Sequence, residues 1–270
     1  MAGISVGFIG SGNLANAIIK GMISEGYIKS ENIYIFDLDP QKTAALSKYG
    51  VRICDRPDCL VNQCNYIFLT VKPQVYKTVL GDIKKHLDNS KIMVSVAAGM
   101  SIASIQSMAG FDCKVIRTMP NTPALLGQGA TALTKSESVS EPEFEFILNL
   151  FNTIGKTAVI PEEQMDSVVS VNGSSPAYIF LFAKAVTDYA AGQGIAPDTA
   201  NRLFCQTLIG AAHMLRDSGM TPDELIRMVT SQGGTTEAAM KVFAQNDFEQ
   251  IIAQAMDACT KRTVELGSNV

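Results

Sequence analysis

The sequence predicts two successive architectures: an α/β half built on a doubly wound sheet, then an all-α half. Three observations carry this. Over roughly the first 160 residues, short apolar runs alternate with segments of helical period, the pattern of parallel strands joined by crossover helices. The first apolar run ends in a glycine cluster that leads straight into a helix. Beyond Pro161 no strand signal is convincing, and only helical periods remain.

Each element has a local reason. Residues 4–9 (ISVGFI) read as a buried strand and residues 14–24 as the helix after it. Ile33–Phe36 is the next strand, and residues 40–49 are helical, ended by Gly50. A short strand at 51–54 and a clearer one at 66–71 (YIFLTV) follow. Pro73 opens a helix at its first position, where the missing N–H costs nothing. Strands are expected at 91–96, 114–117, 130–134 and 157–160, with all pairings parallel. Ser140 and Glu143 form a capping box for a helix before the last of them.

In the second half, residues 161–171 start a helix. Residues 176–191 form one that is apolar on nearly all faces, with Lys184 and Asp188 spaced to pair. Such a helix must be wrapped by others of its own chain or of a partner. Residues 197–217 place Ala200, Leu203, Phe204, Thr207, Leu208, Ala211, Met214 and Leu215 on one stripe. Thr221 and Glu224 form a capping box with Pro222 at the first position, predicting a helix over 222–229. Helices over 235–245 and 248–266 complete the set. The domains are read as 1–161 and 162–270. No long linker separates them, so a tightly packed boundary is expected.

Composition narrows the function. The 270 residues are 47% hydrophobic and 18% charged, enough for a generous core. A net charge of −4 without a long basic run argues against nucleic-acid binding. No apolar run is long enough to span a membrane. The first basic residue is Lys20, which leaves no signal-peptide n-region and no Arg-rich leader, so the expected location is the cytoplasm. The cysteines at 54, 59, 64, 113, 205 and 259 form no C-x-x-C pair and read as buried or half-buried thiols in a reducing compartment. With only His86 and His213, neither a metal centre nor histidine catalysis is expected.

The glycine cluster is Gly10-Ser11-Gly12-Asn13-Leu14-Ala15, a G-x-G-x-x-A segment between a strand and a helix. Gly10 permits the tight turn, Gly12 admits a pyrophosphate against the backbone, and Ala15 lets helix press on strand. An anion then meets the unpaired N–H groups and positive dipole of the helix start. Asp37, at the end of the second strand, is placed to accept from adenosine ribose hydroxyls and to repel a 2′-phosphate. The reading is a Rossmann-type domain for NADH or NADPH, leaning to NADH, with Arg52 and Arg56 as cations that soften the bias.

In open α/β sheets ligands bind beyond the carboxyl ends of strands. Three further loops fall there: Thr70-Val71-Lys72-Pro73, Ala97-Ala98-Gly99 and Met119-Pro120-Asn121-Thr122-Pro123. In the helical half, Ser231-Gln232-Gly233-Gly234-Thr235-Thr236 stands before a helix. Its glycines leave backbone amides accessible to a carboxylate, and its hydroxyls add donors. Asn172-Gly173-Ser174-Ser175-Pro176 is a similar polar turn. Taken singly, each of these loops also reads as ordinary turn or capping chemistry.

Together these motifs resemble pyrroline-5-carboxylate reductase over essentially the whole chain. The resemblance rests on FIGSGNLANAI, TVKP at 70–73, AAG at 97–99, MPNTP at 119–123, NGSSPAY at 172–178 and SQGGTTEAAM at 231–240. It implies reduction of 1-pyrroline-5-carboxylate to L-proline, the last step of proline biosynthesis. It implies cofactor contacts from Ile9, Gly10, Ser11, Gly12, Asn13 and Leu14, from Thr70, Val71, Lys72 and Pro73, and from Ala98 and Asn121. It implies a substrate held by Ser231, Gly233, Gly234, Thr235 and Thr236. Thr236, matching the threonine proposed to bond the ring nitrogen, and Ser231 are the candidate catalytic hydroxyls. It also implies a homodimer through the C-terminal helices, with dimers assembling as far as a decamer. Two positions depart from the family pattern: Gln232 stands where Pro is frequent, and Pro57 where many members carry an Asn that holds the adenosine end.

Two rival readings use the same motifs. A β-hydroxyacid dehydrogenase would need a catalytic lysine on a helix of the second domain, and Lys184 is available. A dinucleotide-sensing scaffold would bind the cofactor and dimerise without turnover, since binding motifs do not prove chemistry.

Overall fold

A computed structural model describes residues 3–268. The strands are β1 (Val6–Ile9), β2 (Ile33–Phe36), β3 (Arg52–Ile53), β4 (Tyr66–Leu69), β5 (Ile92–Ser95), β6 (Lys114–Met119), β7 (Gly129–Lys135) and β8 (Gly155–Val159). They form one sheet in the order β3-β2-β1-β4-β5-β6-β7-β8. The order reverses between β1 and β4, so the crevice that receives ligands in such sheets opens at their carboxyl ends. Six of the seven pairings are parallel, and β6–β7 is antiparallel, with Thr118 opposite Leu133. This corrects the all-parallel expectation. Only the 3₁₀ turn Thr122–Leu126 separates β6 from β7, and a parallel return needs a crossover of a dozen or more residues.

The helices around this sheet are α1 (Asn13–Ser24), α2 (Pro40–Ser47), α3 (Pro57–Gln63), α4 (Tyr76–Ile83), α5 (Ile102–Ala109) and α6 (Glu141–Asn152). Two apolar layers result. One face of the sheet carries Val6, Phe8, Ile33, Phe68 and Ile116 against Ile18, Met22, Ile147 and Phe151. The other carries Ile9, Ile67, Leu69 and Met93 against Leu60, Tyr76, Leu80 and Ile105. The capping box of α6 forms as the sequence proposes: the Glu143 carboxylate accepts from the Ser140 N–H at 2.9 Å and hydroxyl at 2.8 Å.

Several local expectations change. Helices α3 and α5 were not anticipated. Pro73 opens a 3₁₀ turn, Pro73–Val75, and the α-helix begins only at Tyr76. Residues 161–171 form no α-helix: a 3₁₀ turn at Glu162–Gln164 and a π-turn at Val169–Gly173 take its place. A side-chain staple explains this. Arg117, 3% exposed on β6, donates to Glu162 at 3.1 Å and pairs with Asp166, drawing the segment onto the sheet.

The remaining helices are α7 (Ser175–Gly192), α8 (Pro197–Asp217), α9 (Pro222–Val229), α10 (Thr235–Gln245) and α11 (Phe248–Ser268). The chain divides into two compact units: residues 1–176 with 258–270, and residues 177–257. The Arg117 staple holds residues 162–166 in the first unit, and the end of α11 joins that unit through a backbone contact. A Cβ on Gly99, where φ is +77°, would stand 2.4 Å from the Thr263 carbonyl, and one on Gly267 would stand 2.0 Å from the Gly99 carbonyl.

The second unit keeps its large apolar side chains outside. Phe180, Leu181 and Tyr189 on α7 are 66%, 69% and 71% exposed, and Leu203 and Leu215 on α8 are exposed too. Ile179, Phe182, Leu208, Ile251 and Ile252 line an apolar groove within this unit. Among the described residues no helix is long and apolar enough to cross a membrane.

Candidate active site

In the first unit the expected cofactor residues gather along the carboxyl edge of the sheet. The register sets Ile9 beside both Phe36 and Leu69, Leu69 beside Ser95, and Ser95 beside Arg117. The loops that follow these strands therefore share one edge. Gly10 has φ +101°, and a Cβ there would lie 2.7 Å from the Thr70 carbonyl oxygen and 2.9 Å from Val71 Cγ1. Thr70 locks the crossing, its hydroxyl donating to the carbonyls of Ile9 at 3.1 Å and Gly10 at 2.5 Å. Gly10 N–H donates to the Phe36 carbonyl at 2.8 Å.

Gly12 differs. Nothing lies within 4 Å of where its Cβ would stand. It is the N-cap of α1, makes no side-chain cap bond, and no acid sits in the first turn. The amides of Asn13 and Leu14 thus begin a helix whose positive end faces open space, as an anion site requires. Ala15 is fully buried.

Asp37 is tied to the same turn. One oxygen accepts from the Ser11 N–H at 2.7 Å and the Ser11 hydroxyl at 3.2 Å, and the other accepts from the Asp39 N–H at 2.9 Å. Lys42 approaches to 3.9 Å. Burial pushes this carboxyl up, but the bonds from Ser11 and Asp39, with the Lys42 charge, outweigh it and hold the acid below its ordinary range. The nearby cations are engaged: Arg56 pairs with Asp58 at 2.6 Å, and Arg52 donates to the Tyr34 hydroxyl at 3.1 Å while lying over its ring. Pro57 is the first residue of α3, so it offers no N–H there.

Beneath the other loops runs a buried polar floor of Tyr76, Ser95 and Thr118 that sequence reasoning missed. Tyr76, fully buried, donates to the Leu69 carbonyl at 2.9 Å and lies 3.0 Å from the Ser95 hydroxyl. Burial pushes its phenol well up, so it remains a donor. Thr118 donates to the Ser95 carbonyl at 2.9 Å. Asn121 accepts from the Ala130 N–H at 2.9 Å and donates to the Asn172 carbonyl at 3.0 Å; Asn172 donates to the carbonyls of Met119 at 2.7 Å and Ala130 at 2.9 Å. The polar turn at 172–176 is thus a clamp on the 119–121 loop. Its sequence signal is the pair of asparagines, each able to bridge backbone groups. Val71, Pro73 and Ala98 are half-buried on the same edge and Lys72 is exposed.

In the second unit, residues 231–236 form the turn between α9 and α10. The Gly234 N–H donates to the Ser231 carbonyl at 3.0 Å, with Gly233 third in the turn at φ +71°. Gln232 is not at positive φ, so the turn is type II. Gly234 is closely fitted: a Cβ there would lie 2.5 Å from Ser231 Oγ and 3.0 Å from the Ser231 carbonyl oxygen. Gly234 is also the N-cap of α10 and makes no side-chain cap bond. The hydroxyls of Ser231, Thr235 and Thr236 make no hydrogen bond to any described residue, nor do the amides of Thr235 and Thr236. Lys184 is exposed and paired with Asp188, a poor setting for a catalytic lysine.

The thiols divide. Cys54, Cys64 and Cys113 are buried and Cys259 is half-buried, whereas Cys59 and Cys205 are exposed, against the expectation that all six are covered. Burial pushes the Cys54 thiol up to about 12 and that of Cys113 to about 11.

Comparison with known proteins bears on both units. A family model described as pyrroline-5-carboxylate reductase dimerisation matches residues 162–266. Another, described as NADP oxidoreductase, coenzyme F420-dependent, matches residues 5–99. The chain is 35% identical over 265 residues to the pyrroline-5-carboxylate reductase of Escherichia coli (strain K12), covering 98% of each. It is 37% identical over 267 residues to that of Pseudomonas aeruginosa, covering 98% of this chain and 97% of the relative. The crystal structure of Plasmodium falciparum pyrroline carboxylate reductase with NADP bound matches at TM-score 0.91, with 27% identity over 99% of both chains. Similarity of this degree over the full length of the relatives establishes that the chain belongs to the pyrroline-5-carboxylate reductase family.

Proposed function

We propose that the chain reduces 1-pyrroline-5-carboxylate to L-proline with a reduced nicotinamide dinucleotide. The observation that carries this is the 231–236 turn: its three hydroxyls and the amides of Thr235 and Thr236 have no hydrogen-bond partner among the described residues. Such a donor cluster at a helix start fits a small carboxylate. The family relationship supplies the substrate's identity.

The first unit fits the cofactor, because Gly12 leaves open the space that a side chain would fill. Residues 9–14 hold the pyrophosphate on the start of α1. Thr70, Val71, Lys72 and Pro73, with Ala98 and Asn121, hold the nicotinamide end. A carboxylate has about four acceptor positions. Asp37 uses three of them within the chain, which leaves one for a ribose hydroxyl. Its negative charge favours NADH over NADPH, since Arg52 and Arg56 are already engaged.

When bound, the nicotinamide supplies a hydride from C4 to the imine carbon of the pyrroline ring. The chain's own task is chiefly to hold donor and acceptor in place, and such positioning is worth roughly 7–11 kcal/mol in well-oriented systems. The amides of Thr235 and Thr236 receive the substrate carboxylate. The Thr236 hydroxyl bonds the ring nitrogen, donating to the imine or accepting from the amine, and Ser231 adds a second hydroxyl. The ring nitrogen brings its proton from solvent as an iminium, which needs no strong general acid, so Thr236, a poor acid as an unperturbed hydroxyl, orients the ring rather than titrating. The exposed apolar faces of α7 and α8 serve a homodimer, and dimers assemble further as far as a decamer. The enzyme works in the cytoplasm.

The test is direct. Purified protein oxidises NADH or NADPH only when pyrroline carboxylate is added. Binding of NADH without substrate-dependent oxidation would replace this reading with the dinucleotide-sensing one.

A further inference from the structure

The 231–236 turn is bonded by a carboxylate just beyond it. Glu237, in the first turn of α10, accepts from the Gly233 N–H at 2.7 Å. In a capping box the acid at this helical position bonds the N-cap amide. Here the N-cap is Gly234, whose amide already donates to Ser231, so Glu237 reaches one residue further back. Its other oxygen lies 3.3 Å from Lys241, one helical turn on. Gly233 stands at φ +71° with nothing within 4 Å of where a Cβ would be. No side-chain packing therefore holds Gly233 in this conformation. Three hydrogen bonds hold its glycines: Gly234 N–H to the Ser231 carbonyl, Ala238 N–H to the Gly234 carbonyl and Gly233 N–H to Glu237, and the one side chain among these three belongs to Glu237.

We infer that Glu237 is a positioning residue for the substrate, an inference that rests on the function proposed above. Glu237 occupies the Gly233 amide and fixes the turn, so that the amides left for an incoming carboxylate are those of Thr235 and Thr236. Without Glu237, Gly233 is free to rotate, as glycine does readily, and the loop leading into α10 no longer has one conformation. A second carboxylate beside the substrate's would also repel it. Lys241 balances that charge, which makes the hydrogen bond, and not the negative charge, the useful property of Glu237. The alternative is that Glu237 only caps α10 and leaves binding untouched.

The full-length chain separates these. Glu237→Ala raises the KM for pyrroline carboxylate about tenfold, the loss expected for one charge-assisted hydrogen bond. Its affinity for the dinucleotide, read by titration, stays within about twofold. Glu237→Gln, which keeps an acceptor oxygen for the Gly233 amide, recovers most of the loss. Hydrogen exchange at the Gly233 amide is faster in Glu237→Ala than in the unmodified chain, and this readout needs no turnover. A substrate KM unchanged in Glu237→Ala overturns the inference, as does Glu237→Gln behaving like Glu237→Ala. Failure of the unmodified chain to turn over strikes the proposed function instead, and unchanged Gly233 exchange in Glu237→Ala would then refute the positioning on its own.

Discussion

Two glycine turns open two helices in this molecule, and they are held in different ways. The turn at Gly10–Gly12 is pinned from outside itself: Thr70 crosses over it, Asp37 ties Ser11, and Phe36 takes the Gly10 amide. The turn at Gly233–Gly234 is held by its neighbours in sequence, Ser231 and Glu237. The first is a product of the sheet, where parallel strands bring distant loops to one edge. The second is a product of about seven consecutive residues. The contrast suits the proposed roles. A dinucleotide spans several loops and needs a rigid edge, whereas a small carboxylate needs only a few amides correctly aimed.

An alanine in each turn breaks the comparison most sharply. Gly10→Ala meets both a left-handed backbone and a carbonyl 2.7 Å away, and neither can move without shifting β4. The expected cost is about 2–5 kcal/mol of stability with loss of dinucleotide binding. Gly233→Ala meets the same sign of φ but no neighbour, so about 1–2 kcal/mol is expected, with binding of the dinucleotide intact. Denaturant midpoints and NADH titrations of the two variants check this. Equal costs would mean that the second turn is packed as tightly as the first.

Thr236→Ala comes next. It removes a hydroxyl from the local turn while leaving the sheet edge alone. Turnover should fall by roughly 10- to 100-fold if one polar contact to the ring nitrogen is lost, with dinucleotide affinity nearly unchanged. Turnover equal to the unmodified chain would remove Thr236 from the mechanism.

A smaller effect is expected at Asp37. Replacement by Ala should narrow the preference for NADH over NADPH, and steady-state comparison of the two cofactors reads it. No change would mean that Asp37 serves only the turn. Its acid also links the turn to pH. Its folded value is held below the ordinary carboxylate range, so its contribution to stability is complete above that range and is lost as the pH falls through the lowered value. Asp37→Asn should flatten that part of the acid unfolding curve.

What was legible in the sequence follows the same division. The local turn, the capping boxes of α9 at Thr221 and of α6 at Ser140, and helices such as Pro197–Asp217 and Pro222–Val229 could be read residue by residue, because the forces that shape them are local. The glycine segment was legible because its context is a strand and a helix in immediate succession. The misses are tertiary. The Arg117 staple and the Gly99–Gly267 contact depend on partners tens of residues away or more, and the antiparallel β7 follows from a connection too short for a crossover. Helices α3 and α5 are short enough for their periodicity to be weak, yet both carried end signals: Pro57 at the first position of α3, and Ser101 with left-handed Gly110 around α5. The Asn121–Asn172 clamp had no sequence signal beyond residue type, since spacing alone does not say which carbonyls an amide will bridge.

The least of the expected effects tests whether the second turn is as local as its geometry says. Gln232 is the second residue of a type II turn, the position where proline's fixed φ costs nothing. That gives a physical reason for proline being frequent there in the family. The Gln232 amide makes no hydrogen bond to a described residue, so Gln232→Pro loses none. Proline at a compatible site stabilises by about 0.4–1 kcal/mol, mainly by restricting the unfolded chain. The denaturant midpoint should therefore rise slightly, and the substrate KM should stay the same or fall as the turn stiffens. A lowered midpoint would show that the turn is shaped by contacts beyond its own residues, which would make it resemble the Gly10 turn after all.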